Sequence, residues 1–95
     1  MDFKNDKSSF TVPDEPTVRQ ILRYDSVIES KAELELYERL WAGCCVIAQD
    51  WKSDKVELSA DALDQKLSAD ALEIIKWASL AAFSYVLQIK KVPKN

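Results

Sequence analysis

The chain has 95 residues, of which 47% are hydrophobic and 31% are charged, and its formal net charge at pH 7 is −3. This composition excludes an intrinsically disordered protein, and the mildly negative charge has the wrong sign for a general nucleic-acid binder. Because the chain has one glycine and three prolines, turn residues are too scarce for an all-β design, and we expect one all-α domain of few, long helices.

The N-terminal residues 1–9 are polar and charged except for Phe3 and the initial Met1. This pattern predicts a flexible arm, and the absence of an apolar run predicts that no signal peptide is present. Residues 10–12 have the composition of a short extended piece, because Pro13 disfavours helix in the residue before it. A short helix follows over residues 15–26, with Asp14 as its expected N-cap.

The second long helix is predicted for residues 31–52, and Ser30 and Glu33 have the spacing of a capping box at its start. Two apolar lines run along this helix. The first contains Leu34, Tyr37, Trp41, Cys44, Ala48 and Trp51, and the second contains Leu36, Leu40, Gly43 and Ile47. A glycine in a helix interior costs about 1 kcal/mol relative to alanine, so we expect another backbone to approach closely at Gly43.

The hexapeptide LSADAL occurs twice, at residues 58–63 and 67–72. In both copies a serine stands where an N-cap would be, followed by an aspartate in the first turn. The repeat therefore predicts two helix starts, namely a short helix over residues 60–66 and the start of a last long helix over residues 69–90.

The last helix is apolar on nearly all sides, and it contains a seam of residues at spacings of three and four. The seam consists of Ala71, Ile75, Ala78, Ala82, Tyr85 and Ile89. Its alanines would allow the bulky line of the second helix to pack closely, so we expect these two long helices to form an antiparallel pair. Together with the two shorter helices they would form a single domain over residues 10–92, followed by a tail at 93–95.

Trp77, Leu80 and Leu87 lie on the polar side of the last helix, outside that seam. A chain of this length has little material to cover them, so we expect part of this helix to contact another chain in a homo-oligomer. For Trp77 two explanations stay open, because the short helices could cover it or it could anchor an interface. The predicted partner-binding residues are Leu36, Leu40, Ile47, Trp77, Leu80 and Leu87.

The residue types needed for common catalytic and metal sites are missing. The chain has no histidine, which excludes Ser-His-Asp and Cys-His arrangements, and one glycine does not make a phosphate-binding loop. Cys44 and Cys45 are adjacent, so their side chains diverge on a helix, and no third cysteine completes a zinc site. We expect a protein without enzymatic activity, cofactor or metal. The apolar core of the last helix is too short for a membrane span, so we expect neither a membrane nor a nucleic acid as partner.

Two stretches resemble small proteins encoded in the tail-morphogenesis regions of tailed bacteriophages, which are tail assembly chaperones. They are the segment 10–20 (FTVPDEPTVRQ) and the segment 37–41 (YERLW) followed by Trp51. The later segment 73–77 (EIIKW) stands where that pattern also has a helix with a tryptophan.

The resemblance implies a small, mostly helical chaperone that self-associates in the cytoplasm of the bacterial host. Such chaperones bind the long, apolar, helical tape-measure protein, keep it soluble and are displaced as the tail tube polymerises around it. No catalytic residues come with this family. Two alternatives stay open: a small phage-encoded inhibitor that binds one host protein through an exposed apolar patch, and a structural dimer subunit without a client.

Overall fold

The computed structural model describes residues 1–30 and 35–91. In chain order its elements are β1 (Asp2–Lys4), β2 (Ser8–Thr11), α1 (Val18–Ser30), α2 (Leu36–Ile47), β3 (Gln49–Ser53), a 3-10 helix (Ala60–Asp64) and α3 (Ala69–Lys91). The strands form one antiparallel sheet in the order β1-β2-β3. The prediction of an all-α domain with two long antiparallel helices and two shorter ones is therefore wrong, because a three-stranded sheet packs with the helices.

The first nine residues belong to the sheet instead of forming a flexible arm. β1 and β2 pair with Phe3 opposite Phe10, and their ring centroids are 5.1 Å apart. The side-chain oxygen of Asn5 accepts hydrogen bonds from the backbone N–H groups of Lys7 (2.9 Å) and Ser8 (2.8 Å). An asparagine side chain that accepts hydrogen bonds from backbone N–H groups two and three residues later stabilises a tight turn. A count of glycines and prolines does not detect such a turn.

β3 occupies the region that helical spacing assigned to the end of the second helix. α2 ends at Ile47, and the extended Ala48 leads into the strand. Asp50 has a φ of 50° at an irregularity in the register, where Asp50 and Trp51 together lie opposite Phe10. The ring of Trp51 contacts those of Phe10 and Trp41, with centroids 5.7 Å and 5.6 Å away. These contacts between distant segments override the local preference for helix.

The core lies between α3, α2 and β2. Most of the predicted seam of α3 is buried, namely Ala71, Ile75, Ala78, Ala82 and Tyr85, whereas Ile89 is partly exposed. Trp41 and Cys44 of α2 are fully buried on the opposite side of this core. α2 and α3 therefore pack against each other, but α2 is only 12 residues long and the predicted pair of two long helices is wrong.

The other apolar side of α2 is covered by α1. A Cβ atom added to Gly43 would lie 2.6 Å from Cε2 of Tyr24 and 3.1 Å from Cδ1 of Ile28. The close approach expected at Gly43 therefore exists, but a tyrosine ring makes it, not a backbone. α1 begins at Val18, so Asp14 is not its N-cap.

The segment 7–13, which contains β2, runs alongside α3 in the same direction, and three contacts join this segment to the helix. The Lys7 ammonium lies 2.9 Å from the Asp70 carboxylate. Farther along, the ring of Phe10 meets that of Trp77, and near the end the Tyr85 hydroxyl donates a hydrogen bond to the Pro13 carbonyl. Because β2 covers one flank of α3, it decides which part of that helix faces solvent.

Two sets of predictions lie outside the described residues. The first set is Glu33 and Leu34, which belong to the predicted capping box and first turn of the second helix. Among the described residues, Ser30 ends α1 and α2 begins at Leu36 with Glu35 at its N-cap position, so the predicted N-cap at Ser30 and the predicted helix start at residue 31 are wrong. The second set is the C-terminal tail at residues 93–95.

Candidate protein-interaction surface

The six predicted partner-binding residues separate into buried and exposed groups. Leu40 and Ile47 are 3% and 2% exposed, so they belong to the core and offer no surface to a partner in this structure. Leu36, Leu80 and Leu87 are 54%, 46% and 38% exposed. Leucines this exposed on regular helices are free to contact another protein.

Trp77 is partly covered, and β2 provides the cover instead of the short helices. Its ring meets that of Phe10 edge to face, with centroids 5.4 Å apart and an interplanar angle of 69°. This geometry is favourable for aromatic pairs. Since the side chain is only partly buried, Trp77 both supports the core and borders the exposed face of α3.

The solvent-facing side of α3 carries a line of residues whose spacing alternates between four and three. We call it the outer seam, and it consists of Glu73, Trp77, Leu80, Ser84, Leu87 and Lys91. All are exposed except the partly buried Trp77. Such spacing places side chains along one stripe of a helix, as in the seam of a coiled coil. Phe83, which is partly exposed, widens the apolar part of this stripe.

Two of the lysines near the outer seam are held by neighbouring elements. The Lys76 ammonium lies 5.3 Å from the ring centroid of Tyr37 on α2, and that of Lys90 lies 2.6 Å from the carboxylate of Asp25 on α1. By contrast, neither Glu73 nor Lys91 forms an ion pair with another residue in the described part of the chain. The outer seam therefore has an apolar middle, an acidic end and a basic end.

A second apolar surface lies at the N-terminal end of α3. It is a groove of about 160 Å³ between α2, the 3-10 helix and α3. Its apolar lining, which we call the leucine groove, includes Tyr37, Ala62, Leu63, Leu67, Leu72 and Ile75. Leu67 is 81% exposed, the most exposed of these side chains.

Sequence reasoning missed the leucine groove although a signal for it was present. Each LSADAL copy begins and ends with leucine, and we interpreted the copies only as helix starts. The second copy does cap α3, because the Ser68 hydroxyl accepts a hydrogen bond from the N–H of Ala71 at 3.1 Å. The flanking Leu63, Leu67 and Leu72 remain at the surface.

A third apolar area lies between the start of α1 and the end of α3, and sequence reasoning missed it as well. It is lined by Val18, Ile21, Leu22 and Ile89, among others. Val18 and Leu22 are one turn apart and both are exposed. This area is more open to solvent than the leucine groove.

The two adjacent cysteines of α2 have pKa values that are shifted by burial. Burial raises the pKa of the Cys44 thiol, and it raises the pKa of Cys45 to about 11, so both thiols are protonated at neutral pH. On the surface, the carboxylate of Asp70 raises the pKa of Lys7, with a smaller contribution from Glu73. Within residues 1–30 and 35–91, no cluster of three or more histidine, cysteine or acidic side chains could hold a metal ion.

α3 is long and apolar enough to span a bilayer by length and composition. The same helix carries eight buried residues of this domain, among them Ala78, Ala82 and Tyr85. Since a core helix of a globular domain has this composition too, the apolarity of α3 agrees with its place in the core.

Comparison of the chain with family models, with curated proteins and with solved structures finds no match. A function is therefore inferred from the surfaces of the molecule and from the motifs that resemble tail assembly chaperones.

Proposed function

We propose that the protein is a non-enzymatic tail assembly chaperone of a tailed bacteriophage. In this role it self-associates and binds the apolar, helical tape-measure protein in the cytoplasm of the bacterial host. The single observation that supports this role best is the presence of two separate apolar surfaces on one small domain, the outer seam and the leucine groove. A chaperone needs both kinds of contact at once, one with its own copies and one with its client.

The leucine groove suits a helical client. Side chains that project from one face of an amphipathic helix recur every three or four residues and insert into an apolar groove between packed elements. The lining of the groove also includes the charged residues Glu38, Lys66 and Lys76. Apolar contacts of this kind are weakly selective, so they suit a long client with many similar apolar segments.

Co-expression with the tape-measure protein of the same phage tests this role. We expect the chain to keep the tape-measure protein in the soluble fraction and to co-purify with it. A Leu67→Glu/Leu72→Glu variant should lose most of this capture, because it places two charges in the apolar groove. Val46→Glu is the control, since it places a charge at an exposed apolar residue of α2 outside the apolar areas described above.

Circular dichroism of each variant checks that the fold is kept. The role would be contradicted if the tape-measure protein stays insoluble in the presence of the wild-type chain. Tight binding of one purified host enzyme, with loss of its activity, would instead support the inhibitor.

A further inference from the structure

We infer that a second copy of this chain covers the outer seam, with the two α3 helices packed antiparallel about a two-fold axis. This inference rests on the self-association included in the proposed function, and it adds the surface, the direction and the register. Three observations support it: the spacing of the seam, the size of its side chains and the position of its charges.

The spacing fits an antiparallel pair. In such a pair each seam residue of one helix faces one seam residue of the other. With a two-fold axis at the level of Ala82, the residue numbers of any two facing residues sum to 164. Glu73 then faces Lys91, Trp77 faces Leu87, and Leu80 faces Ser84. Each of the six residues therefore faces a residue of the partner copy's outer seam, as the alternating apolar positions of an antiparallel coiled coil do.

The sizes of the facing side chains are also complementary. In this register the large Leu80 of one copy lies opposite the small Ser84 of the other, and the partly buried Trp77 lies opposite Leu87. Large groups opposite small ones allow facing layers to interdigitate. In a parallel pair with the same residues aligned, two tryptophans would meet in one layer and two serines in another.

The charges decide the direction. Glu73 and Lys91 are 18 residues apart, which is about five helical turns or about 27 Å, so they lie on the same line of α3 at opposite ends. An antiparallel pair brings each Glu73 to a Lys91, whereas an aligned parallel pair brings like charges together at both ends. The nearby Lys76 and Lys90 are engaged with Tyr37 and Asp25 and do not upset this pattern.

The expected interface is small. One pair of helices of this length covers less area than the roughly 1,600 Å² of a standard protein interface. We therefore expect an exchanging dimer whose population depends on concentration and whose affinity falls at high salt.

Charge reversal tests the register. The dimer dissociation constant is measured by sedimentation for the wild type, Glu73→Lys, Lys91→Glu and the double variant. Each single reversal replaces two attractive pairs with two repulsive ones and should weaken the dimer about tenfold at low salt, and the double reversal should restore it. Glu29→Lys makes the same charge change on α1 and should have little effect.

A second variant increases affinity. Ser84 is exposed in the single copy, so Ser84→Leu does not disturb the core. In the antiparallel pair the new leucine lies opposite Leu80, and the dimer should tighten about tenfold or more. No change in affinity with this variant would overturn the outer seam as the dimer surface, whereas the register is tested by the charge reversals.

The outcomes separate the two proposals. If the wild type forms a dimer but the double reversal stays as weak as the single ones, the antiparallel register is wrong and self-association stands. If the wild type stays monomeric at high concentration, both the register and the self-association fail. Capture of the tape-measure protein is measured independently and does not depend on either result.

Discussion

At the scale of single residues, Gly43 is a position where the packing of neighbouring side chains leaves no room for a Cβ atom. Tyr24 lies against it so closely that a Cβ atom would meet the ring at 2.6 Å. Tyr24 is itself buried, and its hydroxyl finds no hydrogen-bond partner within the described residues. The glycine is therefore required by the approach of α1 and not by the conformation of α2.

We predict that Gly43→Ala lowers the free energy of unfolding by up to about 2 kcal/mol. Alanine gains about 1 kcal/mol in helix propensity, but the displaced tyrosine ring costs more, since overpacking a core costs about 1–3 kcal/mol. Urea unfolding measures the difference. In a Tyr24→Leu background the clash is absent, and the same substitution should cost less or stabilise. Equal losses in both backgrounds would show that the ring does not cause the effect.

At the scale of elements, α1 begins three residues later than the acidic residues near its start predict. The N–H of Thr17 donates to the side-chain oxygen of Gln20 at 2.8 Å, and the N–H of Gln20 donates to the Thr17 hydroxyl at 3.1 Å. This reciprocal pair is a capping box, and it starts α1 three residues later than the acidic Asp14 and Glu15 suggested. Charge near the start of a helix is a weaker marker of the boundary than the spacing of hydrogen-bonding side chains.

Thr17→Ala should therefore destabilise the protein by about 1 kcal/mol, because the N–H of Gln20 in the first turn of α1 loses its acceptor. Thermal unfolding monitored by circular dichroism measures this loss. Thr17→Ser keeps the hydroxyl and serves as the control, with a smaller change expected. Asp14→Ala should affect α1 less than Thr17→Ala, and the reverse order would contradict the assigned cap.

The helices were predicted better than the strands, and the reason is physical. α3 runs from Ala69 to Lys91, close to the predicted 69–90, because its apolar spacing persists over six turns. β3 has only five residues, and the spacing of Trp51 from Trp41 and Cys44 fits a helical line equally well. Nothing local distinguishes the two, since β3 depends on pairing with β2 about 40 residues earlier.

At the scale of the whole molecule, the division between core and surface decides which predicted contacts are available. Leu80→Glu/Leu87→Glu should weaken self-association about a hundredfold while the helicity stays unchanged, because both side chains face solvent in the single copy. Sedimentation and circular dichroism measure the two effects. Leu40→Glu, at a buried position, should unfold the domain instead. A loss of helicity in the α3 variant would place the outer seam in the core.

Only some residues of the candidate surface could be predicted from the sequence, because exposure depends on how the whole domain divides into core and surface. Leu36, Leu80 and Leu87 are exposed, while Leu40 and Ile47 of the same predicted set are buried. The periodicity of a helix shows which residues share a side, but not which neighbouring element covers that side. Here β2 covers the flank of α3 near Trp77, and α1 covers the second line of α2 at Gly43.

The sequence by itself determined the long helix α3, its alanine-lined seam and the serine at its start, because these depend on residues within a few turns of one another. Only the tertiary structure decided the sheet, the end of α2 and the side of α3 that stays exposed. Those features depend on contacts such as Phe10 with Trp51 and Lys7 with Asp70. Each joins residues far apart in the chain, and their free energy appears only when the whole domain has closed around them.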